Sequence, residues 1–253
     1  MSKTLVARVR DGDVVYGPFM KLAAPQVVEI AGLAGFDFVI CDTEHGSLSF
    51  ESIENLVRAA QVAGIAPLVR VYESSPALVS RALDTGAQGI LVPQICSREE
   101  AESLAQACRF APMGQRGVCR YVRAAQYTAL DRYSYFNKAN AETLVVAMIE
   151  GKEGIGNLPQ IIDTPGIDVL FVGPYDLSQS LGMPGQVESP AVEEQMTCIA
   201  RMARSRGLAV GTFVDDAVAA RRWVRAGFQF ISFSVDVGII YKAMKDSADA
   251  LRR

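Results

Sequence analysis

Short apolar, β-branched runs alternate along this chain with longer segments in which apolar residues recur at helical spacing. Several of the longer segments begin at a Ser or Asp and end at a glycine, as capped helices do. Strands that alternate with helices are typical of βα units and a parallel sheet. The runs predict eight strands: Val14–Phe19, Phe36–Asp42, Pro67–Val71, Gln88–Pro93, Leu144–Glu150, Asp168–Gly173, Leu208–Val214 and Phe228–Ser234.

The number of βα units decides between two α/β architectures. Eight strands, each followed by a helix, in 253 residues predict one domain over residues 1–253, a closed (β/α)8 TIM barrel. A doubly wound open sheet is the weaker alternative. Residues 111–142 break the rhythm, because this segment is too long for an ordinary loop and carries arginines and tyrosines. Long connections of this kind usually belong to a site or an interface.

Composition narrows the class of ligand. The net charge is −3 and no block of Lys and Arg occurs, which argues against a nucleic-acid or membrane surface. The five cysteines are odd in number and form no CxxC pair, as expected of reduced thiols in the cytoplasm. No apolar run approaches the ~18 residues of a membrane-spanning helix, and the N-terminus lacks the pattern of a signal peptide. We therefore expect a cytoplasmic protein that acts on small molecules.

In a (β/α)8 barrel, reactive groups collect at the C-terminal ends of the strands. A charge at the end of an apolar run is costly to bury without a partner, so such residues are candidates for a site. The predicted strand ends carry Asp42, with Glu44 and His45 just beyond it, then Arg70, Glu150 and, in the loop after strand six, Asp176.

Glu150 and Asp176 are one βα unit apart and therefore follow neighbouring strands. Two carboxylates in this arrangement suit a hard divalent cation such as Mg²⁺ or Mn²⁺. The absence of a nearby histidine argues against zinc. A salt bridge for either residue, or a helix cap made by Asp176, is the structural alternative.

His45 is the only histidine of the chain, and imidazole titrates near neutrality, so His45 is the candidate proton carrier. A purely structural role is the alternative. Asp84 could orient the imidazole if its helix brings the two together. Arg70 remains protonated and either clamps a developing oxyanion or forms a structural pair with Asp42 or Glu44.

Other catalytic classes find little support. The chain has no nucleophile elbow, phosphate-binding loop or dinucleotide fingerprint, which disfavours covalent and nucleotide-dependent mechanisms. A Schiff-base aldolase would need a lysine in the barrel. The six lysines lie outside the predicted strands: Lys3, Lys21, Lys138, Lys152, Lys242 and Lys245. We expect neither a nucleotide nor a Schiff-base lysine.

With these residues in hand, the chain resembles the HpcH/HpaI aldolase family over about residues 17–248. The resemblance rests on the segments GFDFVICDTEHG, PLVRV, LDTGAQGILVPQI, RFAPMGQRG, IEGKEGIGNLPQ and GTFVDDAVAARRWVRAG. It implies a phosphoenolpyruvate/pyruvate-type TIM barrel and a class II, metal-dependent aldolase similar to 4-hydroxy-2-oxoheptanedioate aldolase and 2-keto-3-deoxy sugar-acid aldolases. Such a carbon-carbon lyase reversibly cleaves a 4-hydroxy-2-oxo acid or 2-keto-3-deoxy sugar acid to pyruvate and an aldehyde, through a metal-bound pyruvate enolate.

The resemblance also implies roles for the candidate residues. Glu150 and Asp176 would hold Mg²⁺, Mn²⁺ or Co²⁺, Arg70 would steady the enolate oxygen, and His45 paired with Asp84 would move the proton of the aldol hydroxyl. The pyruvate carboxylate would bind at Gly173, Pro174, Tyr175 and Asp176. Phe213 and Arg123 would contact the substrate. Asp42 and Glu44 would orient the residues that act on it, such as Arg70.

The chain departs from well-known members at places near the expected site. Where those members read QVE, ending at the metal glutamate, this chain reads Met148-Ile149-Glu150. After strand seven, where they carry an aliphatic residue, it has Phe213. The 111–142 segment brings Arg120 and Tyr121 together with Arg123, and in the family it approaches a neighbouring subunit's site. These three residues are candidates for recognising the distal end of an acidic or hydroxylated aldehyde, with interface packing as the alternative. The identity of the substrate therefore does not transfer.

The resemblance implies a homo-oligomer, a hexamer built as a trimer of dimers that exchange their C-terminal helices. The C-terminal segment here, about residues 236–251, has an apolar stripe suited to such docking. Two rival functions stay open. One is a metal-dependent hydrolase or C–P or C–C lyase on another 2-oxo acid in the same type of barrel, and the other is a barrel that binds small acids without turnover.

Overall fold

The computed structural model describes residues 3–252, in which eight parallel strands close into a barrel in sequence order. The strand β1 pairs with both β2 and β8, which excludes the open sheet and confirms the predicted TIM barrel. The strands are β1 (Val15–Met20), β2 (Phe38–Asp42), β3 (Ala66–Arg70), β4 (Gly89–Val92), β5 (Leu144–Ile149), β6 (Val169–Val172), β7 (Ala209–Val214) and β8 (Phe230–Val235).

Helices connect the strands on the outside of the barrel, and several begin where the sequence predicts a cap. Ser49, Ser97 and Ser189 each accept a hydrogen bond from a backbone amide in the first turn of the following helix. The helices are α1 (Leu5–Arg10), α2 (Pro25–Leu33), α3 (Phe50–Val62), α4 (Pro76–Asp84), α5 (Arg98–Ala107), α6 (Arg132–Glu142), α7 (Lys152–Gly156), α8 (Leu158–Ile162), α9 (Pro174–Ser180), α10 (Pro190–Ser205), α11 (Ala217–Arg225) and α12 (Asp236–Leu251).

The barrel interior is a packed core rather than a channel. Phe38 and Phe230 stack with their ring centroids 4.2 Å apart, and Phe171 meets Phe230 edge-on. Gly17 makes room for this layer, since a β-carbon there would lie 2.1 Å from the carbonyl oxygen of Phe38. The filled interior leaves the reactive space to the C-terminal ends of the strands.

The 111–142 segment, which is too long for an ordinary loop, contains secondary structure. It includes a 3₁₀ helix, Arg123–Thr128, followed by α6, and its Ala125 and Tyr135 form a small separate core with Phe110. Arg123 donates a hydrogen bond to the carbonyl oxygen of Thr85, directly after α4. The segment is therefore fastened at the N-terminal end of the barrel strands, because helices of a βα barrel run antiparallel to the strands.

The helix α12 exposes part of its apolar stripe. Val237, Tyr241, Met244 and Leu251 are exposed along its length. Within residues 3–252, no helix combines the length and the apolar character needed to cross a membrane.

Candidate active site

A cavity of about 410 Å³ opens at the C-terminal ends of the strands. The predicted residues that line it are Asp42, His45, Arg70, Gly173, Pro174, Tyr175, Asp176 and Phe213. Six further lining residues are Phe19, Lys21, Met148, Phe171, Asp215 and Val235. Because these side chains come from distant parts of the sequence, the closed barrel is what brings them together.

On the β2–β3 side, Asp42 and Arg70 form a buried ion pair. Arg70 donates from Nε to Oδ1 at 2.8 Å and from Nη2 to Oδ2 at 2.7 Å. Asp42 is 0% exposed and Arg70 is 6% exposed. Burial opposes ionisation of Asp42, but the hydrogen bonds and charge of Arg70 outweigh it and hold the pKa of Asp42 below its usual value. The pair is thus a pre-formed, charged unit of the site.

Arg70 is held by two further groups. Its Nη1 lies 3.0 Å from Oε2 of Glu44, and its guanidinium carbon lies 4.5 Å from the ring centroid of Phe19. These contacts and the pair with Asp42 occupy at most three of the five guanidinium N–H groups, so others remain for a ligand in the cavity. Arg70 thus forms the structural pairs with Asp42 and Glu44 that the sequence left open. These pairs still leave N–H groups that can bind an oxyanion.

His45 stands at the edge of the cavity on the loop after β2. The backbone amides of Glu44 and His45 donate to Oδ1 of Asp42 at 3.1 and 3.2 Å, which fixes the loop. The imidazole Nε2 lies 3.9 Å from Oε2 of Glu44, and the side chain is 54% exposed. A half-exposed imidazole on an anchored loop has the freedom that a proton carrier needs.

On the β5–β6 side, Glu150 is buried and forms no salt bridge with any residue of the described range 3–252. Its Oε1 accepts a hydrogen bond from the backbone amide of Gln94 at 3.0 Å, and the residue is 5% exposed. Burial, and then the negative charges of Asp176 and Glu44, raise the pKa of Glu150 to about 7. A carboxylate in this environment is stabilised by any cation that enters the site.

The alternatives for the Glu150 and Asp176 pair are not observed. In the part of the chain that the structure describes, neither residue forms a salt bridge, and no side chain caps α9. Gly173 leaves room for the glutamate, because a β-carbon there would lie 2.6 Å from Oε2 of Glu150. Residues 3–252 hold no cluster of three or more ligand-type side chains at metal-binding distances. The suitability of this place for a divalent cation therefore rests on two carboxylates alone, Glu150 and Asp176, whose negative charges repel each other without a cation.

The β6–β7 side of the cavity is partly aromatic. Tyr175 donates a hydrogen bond to Asp215 at 2.7 Å, and its ring centroid is 6.0 Å from that of Phe213. Burial, followed by the hydrogen bond to Asp215, raises the pKa of Tyr175 to about 12, so the phenol stays protonated near neutrality. The ring centroid of Phe213 also lies 6.1 Å from that of Phe19. The two rings form an apolar wall that extends toward β1.

Comparison with known proteins decides the family. The model of the HpcH/HpaI aldolase/citrate lyase family matches residues 16–243. The chain belongs to this family. The predictions of family and of enzyme class, a carbon-carbon lyase of the aldolase type, are thereby confirmed.

Relatives of this family member resemble it over almost their whole length. A hydroxypyruvate/pyruvate aldolase of Roseobacter denitrificans is 32% identical over 97% of this chain and 95% of the relative. A 2-keto-3-deoxy-L-rhamnonate aldolase of Salmonella gallinarum is 33% identical over 96% and 90%. A solved HpcH/HpaI aldolase/citrate lyase family structure from Burkholderia cenocepacia superimposes with a TM-score of 0.93, at 35% identity, over 98% of this chain and 99% of that one.

Two predicted site residues of this aldolase-family chain lie elsewhere. Asp84 ends α4, at the opposite end of the barrel from His45, and accepts a hydrogen bond from Arg116 at 2.8 Å. Arg123 donates to Gln61 and Thr85 at the same end. The expected pairing of Asp84 with His45 is therefore wrong within one chain, because the helix carries its last residue away from the C-terminal strand ends.

The sequence interpretation missed Lys21, which lines the cavity, and two residues that hold groups of the site in place, Gln94 and Asp236. Lys21 follows β1 directly, outside the strands in which a Schiff-base lysine is expected, and the strand ends one residue later than predicted. Gln94 holds Glu150 through a backbone amide and adopts a left-handed conformation with φ of 53°, which no local pattern indicates. Asp236 follows β8 and could have been predicted from the sequence, because it is a charged residue at the end of an apolar run.

Proposed function

We propose that this protein is a divalent-metal-dependent aldolase that reversibly cleaves a 4-hydroxy-2-oxo acid or a 2-keto-3-deoxy sugar acid to pyruvate and an aldehyde. Membership of the family and the aldolase relatives support the reaction type. The observation that carries the proposal is Glu150, a buried carboxylate with a pKa raised to about 7 beside Asp176, which forms no salt bridge within residues 3–252. Two hard oxygen ligands on neighbouring strand ends suit Mg²⁺ or Mn²⁺, with Co²⁺ as a further candidate.

Glu150 and Asp176 would hold the cation, which when bound would supply Lewis-acid polarisation of a 2-oxo acid. Arg70, fixed by Asp42 and Glu44, presents its remaining N–H groups to the oxygen on which negative charge develops. The backbone of residues 173–176, at the start of α9, is the proposed site of the pyruvate carboxylate. His45 would carry the proton to and from the hydroxyl group at the bond that breaks.

Exchange of the pyruvate methyl protons in D2O tests this function without knowledge of the aldehyde. NMR should show loss of the methyl signal with Mg²⁺ or Mn²⁺ present and no loss with chelator. Exchange that persists in chelator would contradict the metal dependence. Absence of exchange under both conditions, from folded protein, would contradict the aldolase mechanism and favour the hydrolase or binding-only alternatives.

We further propose that the protein is a homo-oligomer, a hexamer of three dimers in which α12 is exchanged. The exposed side chains of Tyr241, Met244 and Leu251 support this, since they leave an apolar stripe that residues 3–252 do not cover. In such an assembly, Asp84 and Arg123 would act on a neighbouring copy's cavity. Light scattering coupled to size exclusion measures the mass directly, and a monomer at working concentration would contradict the proposal.

A further inference from the structure

Lys21 is held at a fixed place on the rim of the cavity. It is the first residue after β1, and its backbone amide lies 3.1 Å from both carboxylate oxygens of Asp236. The amide of Leu22 donates to the same carboxylate at 2.9 Å. Asp236 is 2% exposed, so this anchor is buried. The base of the lysine is therefore pre-positioned, while its side chain, 30% exposed, reaches the cavity.

The ammonium group of Lys21 has no hydrogen-bond acceptor among the described residues. Its single carboxylate neighbour within 4 Å in residues 3–252 is Asp42, whose Oδ2 lies 3.8 Å from Nζ. Asp42 already accepts four hydrogen bonds, two from Arg70 and one each from the amides of Glu44 and His45. Three of the four fall on Oδ1 and one on Oδ2, so Oδ2 keeps a lone pair toward Lys21, but at 3.8 Å the two groups form an ion pair without a hydrogen bond. Within residues 3–252 the N–H donors of the ammonium therefore form no hydrogen bond and can turn to a ligand.

Lys21 lies across the barrel from the proposed pyruvate site. In the closed order β1 to β8, the strand β1 is diametrically opposite β5, which carries Glu150 at its end. The wall between these positions, on the β7–β8–β1 side, includes Phe213, Val235 and Phe19. A substrate with its pyruvate part at β5–β6 would direct its other part along this apolar wall toward the ammonium.

We propose that Lys21 determines substrate specificity by binding an anionic group, carboxylate or phosphate, on the aldehyde half of the substrate. A compact ammonium with three free donors recognises such a group as a point charge. The apolar wall favours a chain without hydrogen-bonding substituents between the carbonyl and the anion. This inference rests on the proposed aldolase function and adds a recognition site that the sequence interpretation did not include.

A structural role makes a different prediction. If Lys21 only balances the charge of Asp42, its removal would affect all aldehydes alike. The informative quantity is therefore the ratio of kcat/KM for a charged aldehyde to that for a neutral aldehyde of the same length, with pyruvate as the common partner. Two pairs serve: 4-oxobutanoate with butanal for a carboxylate, and 4-oxobutyl phosphate with butanal for a phosphate.

We expect the wild-type ratio to favour the charged member of at least one pair, and that pair identifies the anion. Lys21→Met should lower this ratio by about tenfold to 100-fold, as expected for the loss of a charge-assisted hydrogen bond. Lys21→Arg should keep most of the ratio. Lys3→Met, a change at an exposed lysine at the other end of the barrel, is the matched control and should keep the wild-type ratio.

The outcomes separate this proposal from the function on which it rests. Pyruvate methyl exchange with an unchanged ratio in Lys21→Met overturns the role of Lys21 and leaves the aldolase intact. A wild-type ratio that favours the neutral aldehyde in both pairs also overturns it. Absence of methyl exchange in the wild type overturns both proposals together.

Discussion

The two sides of the cavity place buried carboxylates in opposite electrostatic environments. On the β2–β3 side, Asp42 is paired with Arg70, and its pKa is lowered. On the β5–β6 side, Glu150 forms no salt bridge with the described part of the chain, and its pKa is raised to about 7. Both residues are buried, so exposure does not explain the difference.

The difference shows how the chain divides two tasks. A carboxylate that meets its cation within the chain forms a rigid support, since the pair is complete on folding. A carboxylate pair without a cation is unfavourable until one binds, and the binding free energy of that cation offsets the cost. The paired side, Asp42 with Arg70, therefore supports Arg70 and the loop of His45, and the unpaired side, Glu150 with Asp176, is where we propose that the metal binds.

Glu150→Gln gives the largest expected effect because it removes one of the two proposed metal ligands. We expect the Kd for Mn²⁺ to rise by about 100-fold and aldol turnover to fall by about 10³-fold or more. Titration calorimetry and a coupled pyruvate assay measure the two quantities. Glu153→Gln, at an exposed position three residues further on, is the control. Unaltered metal affinity in Glu150→Gln would exclude the residue as a ligand.

Asp42→Asn tests the paired side. The change leaves the guanidinium of Arg70 buried with only Glu44 as a carboxylate partner, and we expect the free energy of unfolding to fall by about 3–5 kcal/mol. Urea unfolding followed by circular dichroism measures it. Asp163→Asn breaks an exposed pair with Arg206 and should cost less than about 1 kcal/mol. Equal losses in both variants would show that the buried pair is not a structural support.

The unpaired side predicts a pH dependence of stability in the metal-free protein. The pKa of Glu150 is raised from 4.5 to about 7 on folding, so the unfolded chain loses this proton first as pH rises. The free energy of unfolding should therefore fall between about pH 4.5 and pH 7, by on the order of 3 kcal/mol from this group. Urea unfolding in chelator at pH 5 and pH 8 measures it.

Glu150→Gln supplies the comparison for this measurement, because an amide does not titrate. In chelator at pH 8, the variant should be more stable than the wild type, although it is the less active protein. Asp42 acts in the opposite direction, since its lowered pKa makes its contribution fall away only in acid, below its ordinary value of 3.8. A wild-type protein with the same pH dependence as Glu150→Gln would contradict the assigned environment of Glu150.

His45→Ala should lower aldol cleavage by about 10²-fold or more while the Kd for Mn²⁺ stays within about twofold of the wild type. The imidazole lies on the loop anchored by Asp42, and its one carboxylate neighbour within 4 Å among residues 3–252 is Glu44 rather than a proposed metal ligand. Assays of cleavage and of metal binding on the same preparation separate the two effects. Unchanged turnover would remove His45 from the mechanism.

Much of this arrangement can be predicted from the sequence because barrel strands are buried on both faces and appear as apolar runs. Their ends then identify Asp42, which lines the cavity, and Glu150, whose carboxylate lies against Gly173 of the cavity lining. Contacts between distant elements are not encoded in any local pattern. The placement of Asp84 away from His45, the amide of Gln94 on Glu150 and the anchored position of Lys21 depend on such contacts. These are the features that only the folded chain reveals.

Gly173→Ala should have the smallest effect on metal affinity. It tests whether the cation depends on the position of the Glu150 carboxylate. A β-carbon at this position would lie 2.6 Å from both Oε2 of Glu150 and Cε of Met148. The methionine can move, but the glutamate is held by Gln94, so the carboxylate would shift and the Kd for Mn²⁺ should rise by about tenfold or less. Gly151→Ala is the matched control, since no atom lies within 4 Å of the added carbon. Equal metal affinities in the two variants would mean that the cation does not depend on the position of the Glu150 carboxylate.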